Sequence, residues 1–223
     1  MQQPITDEGS RKKSSKPRVP SRRIPVQARG KATVEKIRKA SLYILGKEGV
    51  EALNTNAIAE RAGVNISTLY SYYPDKYTIL YDLFEVFEET RSHFVILKMQ
   101  ELAGSASWRE WFSQVIDGLA AYRLEDPAGI ALRRALVLRP ELHELDIQSS
   151  KLVSESLANT LVQRFSLDMR TAEKISETAI ESITHMLDSA FHRSPPKLEK
   201  VEELKLLVTR YLSPYLEDEG VSQ

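Results

Sequence analysis

The chain has 223 residues, 31 Lys and Arg against 31 Asp and Glu, and no cysteine. The absence of cysteine excludes disulfides, thiolate zinc sites, iron–sulfur clusters and a thiol nucleophile. A net charge of zero gives the whole chain no attraction to nucleic acid, so any such attraction must be local. No apolar run is long enough to span a bilayer, and none follows the basic N-terminus as in a signal peptide. These features predict a cytoplasmic protein that does not bind a membrane.

The charge is distributed unevenly along the chain. Residues 1–31 contain nine basic and two acidic side chains and four of the ten prolines, which gives this segment +7 and the rest of the chain −7. Because it has few large apolar side chains, the segment cannot offset its ordering entropy, and we expect a basic disordered arm over residues 1–31. Such an arm is typical of nucleic-acid binding, although a solubilising tail would have the same composition.

A helical pattern begins directly after this arm. From Thr33 onward, apolar residues recur every three or four positions, and no segment alternates as a strand does. Thr33 itself can cap a first helix that runs to Glu48, and Gly49 suits a left-handed stop. The predicted inward face of this helix consists of Ile37, Ala40, Ile44 and Leu45.

The second half of the chain continues the pattern in longer helices. Ser107, Asp126 and Asp168 are expected to cap three of them. A further helical stretch over 141–165 is expected to break near Asp146. The sequence therefore predicts an all-α protein of about nine helices in two parts.

A short helix, a glycine turn and a second short helix occupy residues 55–73. Thr55 and Asn65 can cap the two helices, Gly63 supplies the turn, and Leu69 can hold the second helix against the core. The other side chains of the second helix are mostly short or carry hydroxyls, which suit close approach to a major groove and bonds to bases or phosphates. Alone, this pattern is a weak signal, because many helical cores contain one.

Three sequence segments in combination resemble the TetR family of bacterial transcriptional repressors. They are the helix leading to Leu45 with Gly49 after it, TNAIAERAGV (55–64) and STLYSYYPDKYTIL (67–80). The resemblance covers about residues 33–85. It implies an N-terminal helix-turn-helix DNA-binding domain over 32–80, which includes the start of a linking helix, and a C-terminal ligand-binding and dimerisation domain over 81–223.

The resemblance implies DNA contacts from the second helix, the recognition helix and the start of the fourth helix. The residues concerned are Thr55, Asn56, Asn65, Ile66, Ser67, Thr68, Tyr70, Ser71, Tyr72 and Lys76. Tyr70, Tyr72 and Lys76 are expected to face phosphates. Ile66 and Ser67 stand where many relatives have lysine and glycine, so the base preference stays open. Contacts of the arm to an adjacent minor groove would come from Arg22, Arg23, Arg29 and Lys31.

The resemblance also implies a homodimer, and the apolar stripes of the last two helices support one independently. Their spacing of three and four residues is typical of a helix that packs on another at a shallow angle. The predicted interface consists of Ile183, Met186, Val201, Leu204, Val208 and Tyr211. The same stripes could instead pack inside one subunit. A twofold dimer would place two recognition helices about one DNA turn apart on a near-palindrome.

A family member of this kind is expected to bind a small-molecule effector of unknown identity among its central helices. The candidate residues are Trp108, Trp111, Phe112, Tyr122, Arg133 and Arg134. A buried arginine could meet a carboxylate or phosphate, although aromatic stripes are also ordinary core. Glu181, His185, Asp188 and His192 share one helix face, but a single helix rarely supplies a metal shell. We therefore expect no metal and no cofactor.

The function predicted from these features is DNA-binding transcriptional regulation. The specific hypothesis is a repressor that binds a double-stranded DNA operator as a dimer and that a small molecule releases. The alternative is a helical small-molecule or protein-binding module without sequence-specific DNA binding. Enzymatic activity is not expected, because the sequence contains no P-loop, no Gly-rich dinucleotide turn and no Gly-x-Ser-x-Gly elbow.

Overall fold

The computed structural model describes residues 27–104, 107–192 and 194–216, so most of the predicted basic arm, including Arg22 and Arg23, lies outside the described residues. Within them the chain forms nine α-helices, two 3₁₀ turns and no strand, which confirms the all-α prediction. The helices are α1 (Ala28–Glu48), α2 (Thr55–Ala62), α3 (Ile66–Tyr72), α4 (Lys76–Gly104), α5 (Trp108–Glu125), α6 (Pro127–Arg134), α7 (Pro140–Phe165), α8 (Met169–Phe191) and α9 (Glu199–Leu212). The 3₁₀ turns are Val50–Ala52 and Ala135–Leu138. None of the described helices combines the length and apolar character needed to cross a membrane.

The first helix starts earlier than the sequence predicted. α1 begins at Ala28, with Gln27 before it, so Thr33 is not its cap. Instead, the Thr33 hydroxyl donates to the Arg29 carbonyl oxygen at 3.0 Å, one turn back in the helix. Arg29 and Lys31 are therefore helical, and the expectation of disorder up to residue 31 is wrong for its last four residues.

Three of the six side-chain caps that the sequence predicted are present, and Thr33, Thr55 and Asp126 do not form theirs. Asn65, Ser107 and Asp168 each accept a hydrogen bond from a backbone N–H in the first turn of their helix, which confirms three predicted caps. The cap of α2 is Asn54 and not Thr55: Asn54 Oδ1 accepts from the Ala57 N–H at 2.9 Å. Asp126 precedes α6 but makes no such bond, so the proline that follows it defines that start.

The Asn54 cap should contribute more to the free energy of unfolding than an exposed side chain usually does. Replacing Asn54 with alanine leaves the first N–H groups of α2 without this acceptor and should lower the free energy of unfolding by about 1 kcal/mol. Asn56→Ala, at an exposed position in the first turn, should change it by less than about 0.5 kcal/mol. Urea denaturation followed by circular dichroism measures both, and equal losses would contradict the assignment of the cap.

α7 is one continuous helix, so the predicted break near Asp146 is wrong. Asp146 does not interrupt the helix because its carboxylate points inward, where Arg133 Nη1 donates to it at 2.9 Å. Gly49 ends α1 with φ of +83° and ψ of 177°. That combination has the expected positive φ but lies outside the left-handed helical region, and it is a backbone conformation essentially confined to glycine.

The buried apolar side chains form two cores. The N-terminal core joins α1, α2, α3 and the first half of α4, and the C-terminal core joins the second half of α4 with α5, α7, α8 and α9. Helix α6 follows the chain order of the second part, but Ala128, Ala131 and Leu132 belong to the N-terminal core. Ala128 lies so close to α1 that a Cβ on Gly46 would be 3.4 Å from the Ala128 nitrogen. The predicted domain boundary at residue 80 therefore does not coincide with the boundary between the two cores.

Candidate functional site

The turn between α2 and α3 positions the predicted recognition helix. Gly63 has φ of +63° and ψ of 38°, a left-handed conformation that costs glycine little. The Val64 N–H after it donates to the Ala59 carbonyl oxygen at 3.0 Å, which closes the turn. Leu69 and Ile58 are completely buried and pack the two helices onto the N-terminal core. α3 is thereby held by one side and presents the other to solvent.

The exposed side of α3 differs in part from the predicted one. Asn65, Ser67 and Ser71 are exposed, and Tyr70 is 50% exposed. Ile66 and Tyr72, both expected to face DNA, are half-buried and pack against the N-terminal core. Thr68 is half-buried as well.

Three of the predicted DNA contacts, Thr55, Tyr70 and Lys76, form hydrogen bonds at or just before the start of α2. The Thr55 and Tyr70 hydroxyls lie 3.0 Å apart. Lys76 Nζ donates to the Leu53 carbonyl oxygen at 3.2 Å, two residues before Thr55. Asn56 is exposed beside them. Two hydroxyls and an ammonium group in one patch provide donors of the kind that bind a phosphate.

A buried carboxylate that was not singled out from the sequence fixes the orientation of this unit. Asp82 in α4 is fully buried and accepts from Arg38 in α1, with Nε at 2.8 Å and Nη2 at 2.6 Å. The Tyr73 hydroxyl, directly after α3, also donates to Asp82. The Arg38–Asp82 pair thus ties α1, the end of α3 and α4 together. The helical periodicity of α4 places Asp82 on the inward side, and this pattern could have identified it from the sequence.

The predicted aromatic effector residues are mostly core. Trp108, Trp111 and Phe112 are buried, and the Trp111 and Phe112 rings pack edge to face with centroids 4.8 Å apart. Trp111 and Phe112 border a cavity of about 10 Å³, which is at the limit for a single water molecule. Trp108 does not border it. The stripe therefore has no room for an effector in this conformation.

Tyr122 lies apart from the other three aromatic candidates. Its ring is half-buried and packs on Phe87 of the N-terminal core, with ring centroids 5.8 Å apart. Burial, helped by the carboxylates of Asp126 and Glu88, raises the pKa of the Tyr122 phenol.

The two predicted arginines have different environments. Arg133 is buried and donates to three carboxylates: Glu88 and Asp146 at 2.9 Å each, and Asp188 at 2.7 Å. Burial alone would lower the pKa of Arg133, but attraction by these carboxylates raises it. Arg134 is exposed and donates to the Phe191 and His192 carbonyl oxygens at the end of α8.

Two further arginines complete the buried charged cluster. Arg91 donates to Glu88 at 2.5 Å, and Arg123 donates to Asp188 at 3.0 Å. The cluster of three arginines and three carboxylates therefore joins α4, α5, α6, α7 and α8. It borders a second cavity of about 200 Å³, lined by Arg123, Ile130, Arg133, Arg134, Asp188, Phe191 and His192. Arg123 was not singled out from the sequence, because an arginine near a helix end resembles ordinary surface.

The predicted dimer seam lies inside a single chain, which corrects the interface assignment. Ile183, Val201, Leu204 and Val208 are buried, and Met186 and Tyr211 are half-buried against the same C-terminal core. Their heptad-like spacing arises because α8 and α9 pack on each other and on the rest of this core. Ile183, Val201, Leu204 and Val208 are consequently not available to a partner subunit, whereas Met186 and Tyr211 keep part of their surface exposed.

The polar stripe of α8 is divided between two environments. Glu181 and His185 line an open groove of about 460 Å³ between α7 and α8. Asp188, on the same stripe, turns toward Arg123 and Arg133. In the part of the chain that the structure describes, no three His, Asp or Glu side chains are grouped as metal ligands would be.

Comparisons with known proteins match two separate segments of the chain. Residues 37–83 match the family model "Bacterial regulatory proteins, tetR family", and residues 107–212 match "Tetracyclin repressor-like, C-terminal domain". Together the matches span about two thirds of the chain. No curated protein sequence matches it.

Solved structures show the same fold at low sequence identity. A Mesorhizobium loti protein assigned to the TetR family is 16% identical, with a TM-score of 0.66, and the match covers 85% of this chain and 99% of that one. A TetR-family transcriptional regulator from Streptomyces coelicolor is 24% identical over 82% and 99% of the two chains, with a TM-score of 0.60. The multidrug binding protein EbrR, complexed with imidazole, is 16% identical over 80% and 93%, with a TM-score of 0.59.

Proposed function

The chain belongs to the TetR family and is a DNA-binding transcriptional regulator, and we propose that it represses transcription from a near-palindromic operator until a small-molecule effector releases it. Regulators of this family act on DNA and effectors as dimers and generally have no enzymatic activity. The observation that carries the proposal is the exposed side of α3 beside the Thr55–Tyr70–Lys76 patch.

The proposed DNA contacts follow from exposure and charge. α3 carries no charged side chain, so its attraction to DNA must come from its surroundings. Lys76, Arg29 and Lys31 supply that charge, and Thr55 and Tyr70 supply hydroxyl donors. We assign the exposed Asn65, Ser67 and Ser71 to the base edges. Ile66 and Tyr72 contribute mainly by packing, in line with their half-buried positions.

A homodimer would need a surface other than the seam predicted from sequence. Leu206 and Leu207, each 43% exposed, lie next to each other on the outward side of α9. Contiguous exposed apolar surface marks sites of contact with other proteins. We place the dimer contact on this outward side of α9.

The proposed release mechanism uses the helices shared between the two parts. α4 contributes Phe84 and Phe87 to the N-terminal core and Val95 and Met99 to the C-terminal core. α6 packs against α1 while Arg133, near its end, belongs to the buried charged cluster. An effector that favours another arrangement of these helices would change the separation of two recognition helices in a dimer and so reduce operator affinity.

The proposal is tested by DNA selection followed by a salt titration. The full-length protein should select a near-palindromic duplex from a random library, and fluorescence anisotropy should show two chains per duplex. Lys76→Met should reduce the slope of log affinity against log salt by about one unit for each phosphate that the variant no longer neutralises. Lys47→Met, an exposed lysine at the end of α1, is the matched control and should leave the slope unchanged.

One result would reject this function, and another would reject the role of Lys76. Failure to enrich any duplex would favour the alternative of a helical binding module without sequence-specific DNA binding. Equal slopes for the wild-type protein, Lys76→Met and Lys47→Met would remove Lys76 from the interface.

A further inference from the structure

The cavity at the buried charged cluster differs from the closed space at the aromatic stripe in both size and lining. Its volume is about 200 Å³, against about 10 Å³. Because roughly 10–15 Å³ of such space is enough for one water molecule, this cavity has room for a small organic molecule. Ile130 and Phe191 provide apolar walls, and Arg123, Arg133 and Arg134 provide three guanidinium groups.

Arg123 has donors that the surrounding protein does not use. Its side chain is 4% exposed, and a guanidinium carries five N–H groups. Among the described residues, Nη1 donates to the Leu119 carbonyl oxygen at 3.2 Å and Nη2 to Asp188 Oδ1 at 3.0 Å. The remaining N–H groups lie in a buried side chain that borders the cavity. Among the described residues, the buried side-chain nitrogens and oxygens without a hydrogen-bond partner do not include Arg123 Nε. The unused N–H groups therefore face accessible space, where an acceptor from outside the chain replaces water.

The charges around the cavity also favour an anion. Asp188 is the one carboxylate among its described lining residues, and Arg133 Nε donates to both of its oxygens at 2.7 Å. Glu88 and Asp146 contact Arg133 but are not among the lining residues. Arg123 therefore shares a carboxylate that a second arginine already holds, while Arg134 adds a further positive charge. Burial lowers the pKa of Arg123, as expected of a cation with incomplete compensation.

We propose that this cavity binds a small carboxylate with an apolar body. The carboxylate accepts from the unused N–H groups of Arg123, with Arg134 as the second cation, and the apolar body packs between Ile130 and Phe191. A monoanion fits better than a phosphate dianion, because the Asp188 carboxylate remains in the lining and repels a doubly charged ligand more strongly than a singly charged one. The assignment of this ligand as the effector rests on the proposed repressor function, whereas its binding does not.

Isothermal titration calorimetry of the full-length protein with benzoate tests the proposal. Benzoate should bind once per chain. Benzamide, which has the same shape without the charge, and inorganic phosphate should each bind at least about tenfold more weakly. Arg123→Met should weaken benzoate binding about tenfold or more, and Arg170→Met, at an exposed arginine on α8, should leave it unchanged.

A second variant keeps every charge in place. Ile130→Trp adds a large side chain to the apolar wall and should also weaken benzoate binding about tenfold, while the melting temperature shows whether it folds. The proposal is overturned if wild-type protein gives no binding heat at millimolar benzoate, if Arg123→Met and Ile130→Trp both bind as wild type, or if phosphate or benzamide binds as tightly as benzoate.

DNA anisotropy without ligand separates the two proposals. If the protein binds its selected duplex but not benzoate, the cavity assignment fails and the regulator stands. If it binds benzoate with the expected variant pattern but no duplex, the cavity assignment stands and the repressor fails. Benzoate that binds without weakening the duplex complex would show a carboxylate site that is not the effector site.

Discussion

Replacing Arg133 with methionine should destabilise the protein by about 3–5 kcal/mol. Arg133 is the shared partner of Glu88, Asp146 and Asp188. Its removal leaves Glu88 with Arg91 alone and Asp188 with Arg123 alone, and it leaves the buried Asp146 without the cation that it contacts. Methionine occupies a similar volume, so the destabilisation comes from charge and not from a large cavity. Because these carboxylates belong to α4, α7 and α8, the penalty should affect the whole C-terminal part.

The neighbouring arginine is the control for this variant. Arg134 is exposed and bonds to carbonyl oxygens at the end of α8, so Arg134→Met should cost no more than about 1 kcal/mol. Guanidinium denaturation of both proteins gives the comparison. Destabilisation of similar size in both would show that Arg133 is not the centre of the buried charged cluster.

Leu69→Ala should weaken DNA binding although the Leu69 side chain is buried and does not face DNA. Leu69 is fully buried between α3 and the N-terminal core, and truncation of a buried leucine costs about 2–5 kcal/mol through reduced burial and a residual cavity. In a unit as small as α2 and α3, this change should leave α3 poorly positioned. The free energy of unfolding and the affinity for a selected duplex should therefore fall together.

The adjacent residue should show the opposite combination. Tyr70 is half exposed and its hydroxyl contacts Thr55. Tyr70→Ala should change the free energy of unfolding by less than about 1 kcal/mol and should lower duplex affinity about tenfold by removing a phosphate donor. Chemical denaturation and DNA anisotropy, measured on both variants, distinguish the structural role of Leu69 from the DNA-contacting role of Tyr70. A Tyr70→Ala protein that is unstable but binds DNA normally would place Tyr70 in the core and outside the interface.

The helix-turn-helix was predictable because its determinants are local. A cap, a glycine with positive φ and one buried leucine act over a few residues, and Asn65, Gly63 and Leu69 each have the predicted role. The errors there were small. Asn54 and Thr55 are both competent caps, and local chemistry does not rank two adjacent ones. Ile66 and Tyr72 pack inward because a helix of two turns has little surface that is wholly exposed.

The long-range features were less predictable for a physical reason. Periodicity shows which side of a helix is buried but not what covers it, so Val201, Leu204 and Val208 fitted a partner helix as well as the chain's own core. The same limit applies to charge. Arg133 and Arg134 are adjacent and chemically identical, and only the packing of α6 decides that the first is buried among carboxylates. Arg123 became a candidate only through its neighbours in space.

The position of α6 has a consequence for engineering hybrid regulators. Because Ala128, Ala131 and Leu132 complete the core around α1, the DNA-reading unit is not a module that ends where its sequence similarity ends. If the DNA-binding unit were joined to another regulator at residue 83, its α1 would pack against the α6 of that other protein. The fit would be critical at Gly46, where α1 and α6 lie very close together. To exchange operator specificity between relatives, residues 127–135 should therefore be transferred together with the DNA-binding unit. Alternatively, only residues on the exposed side of α3 should be replaced.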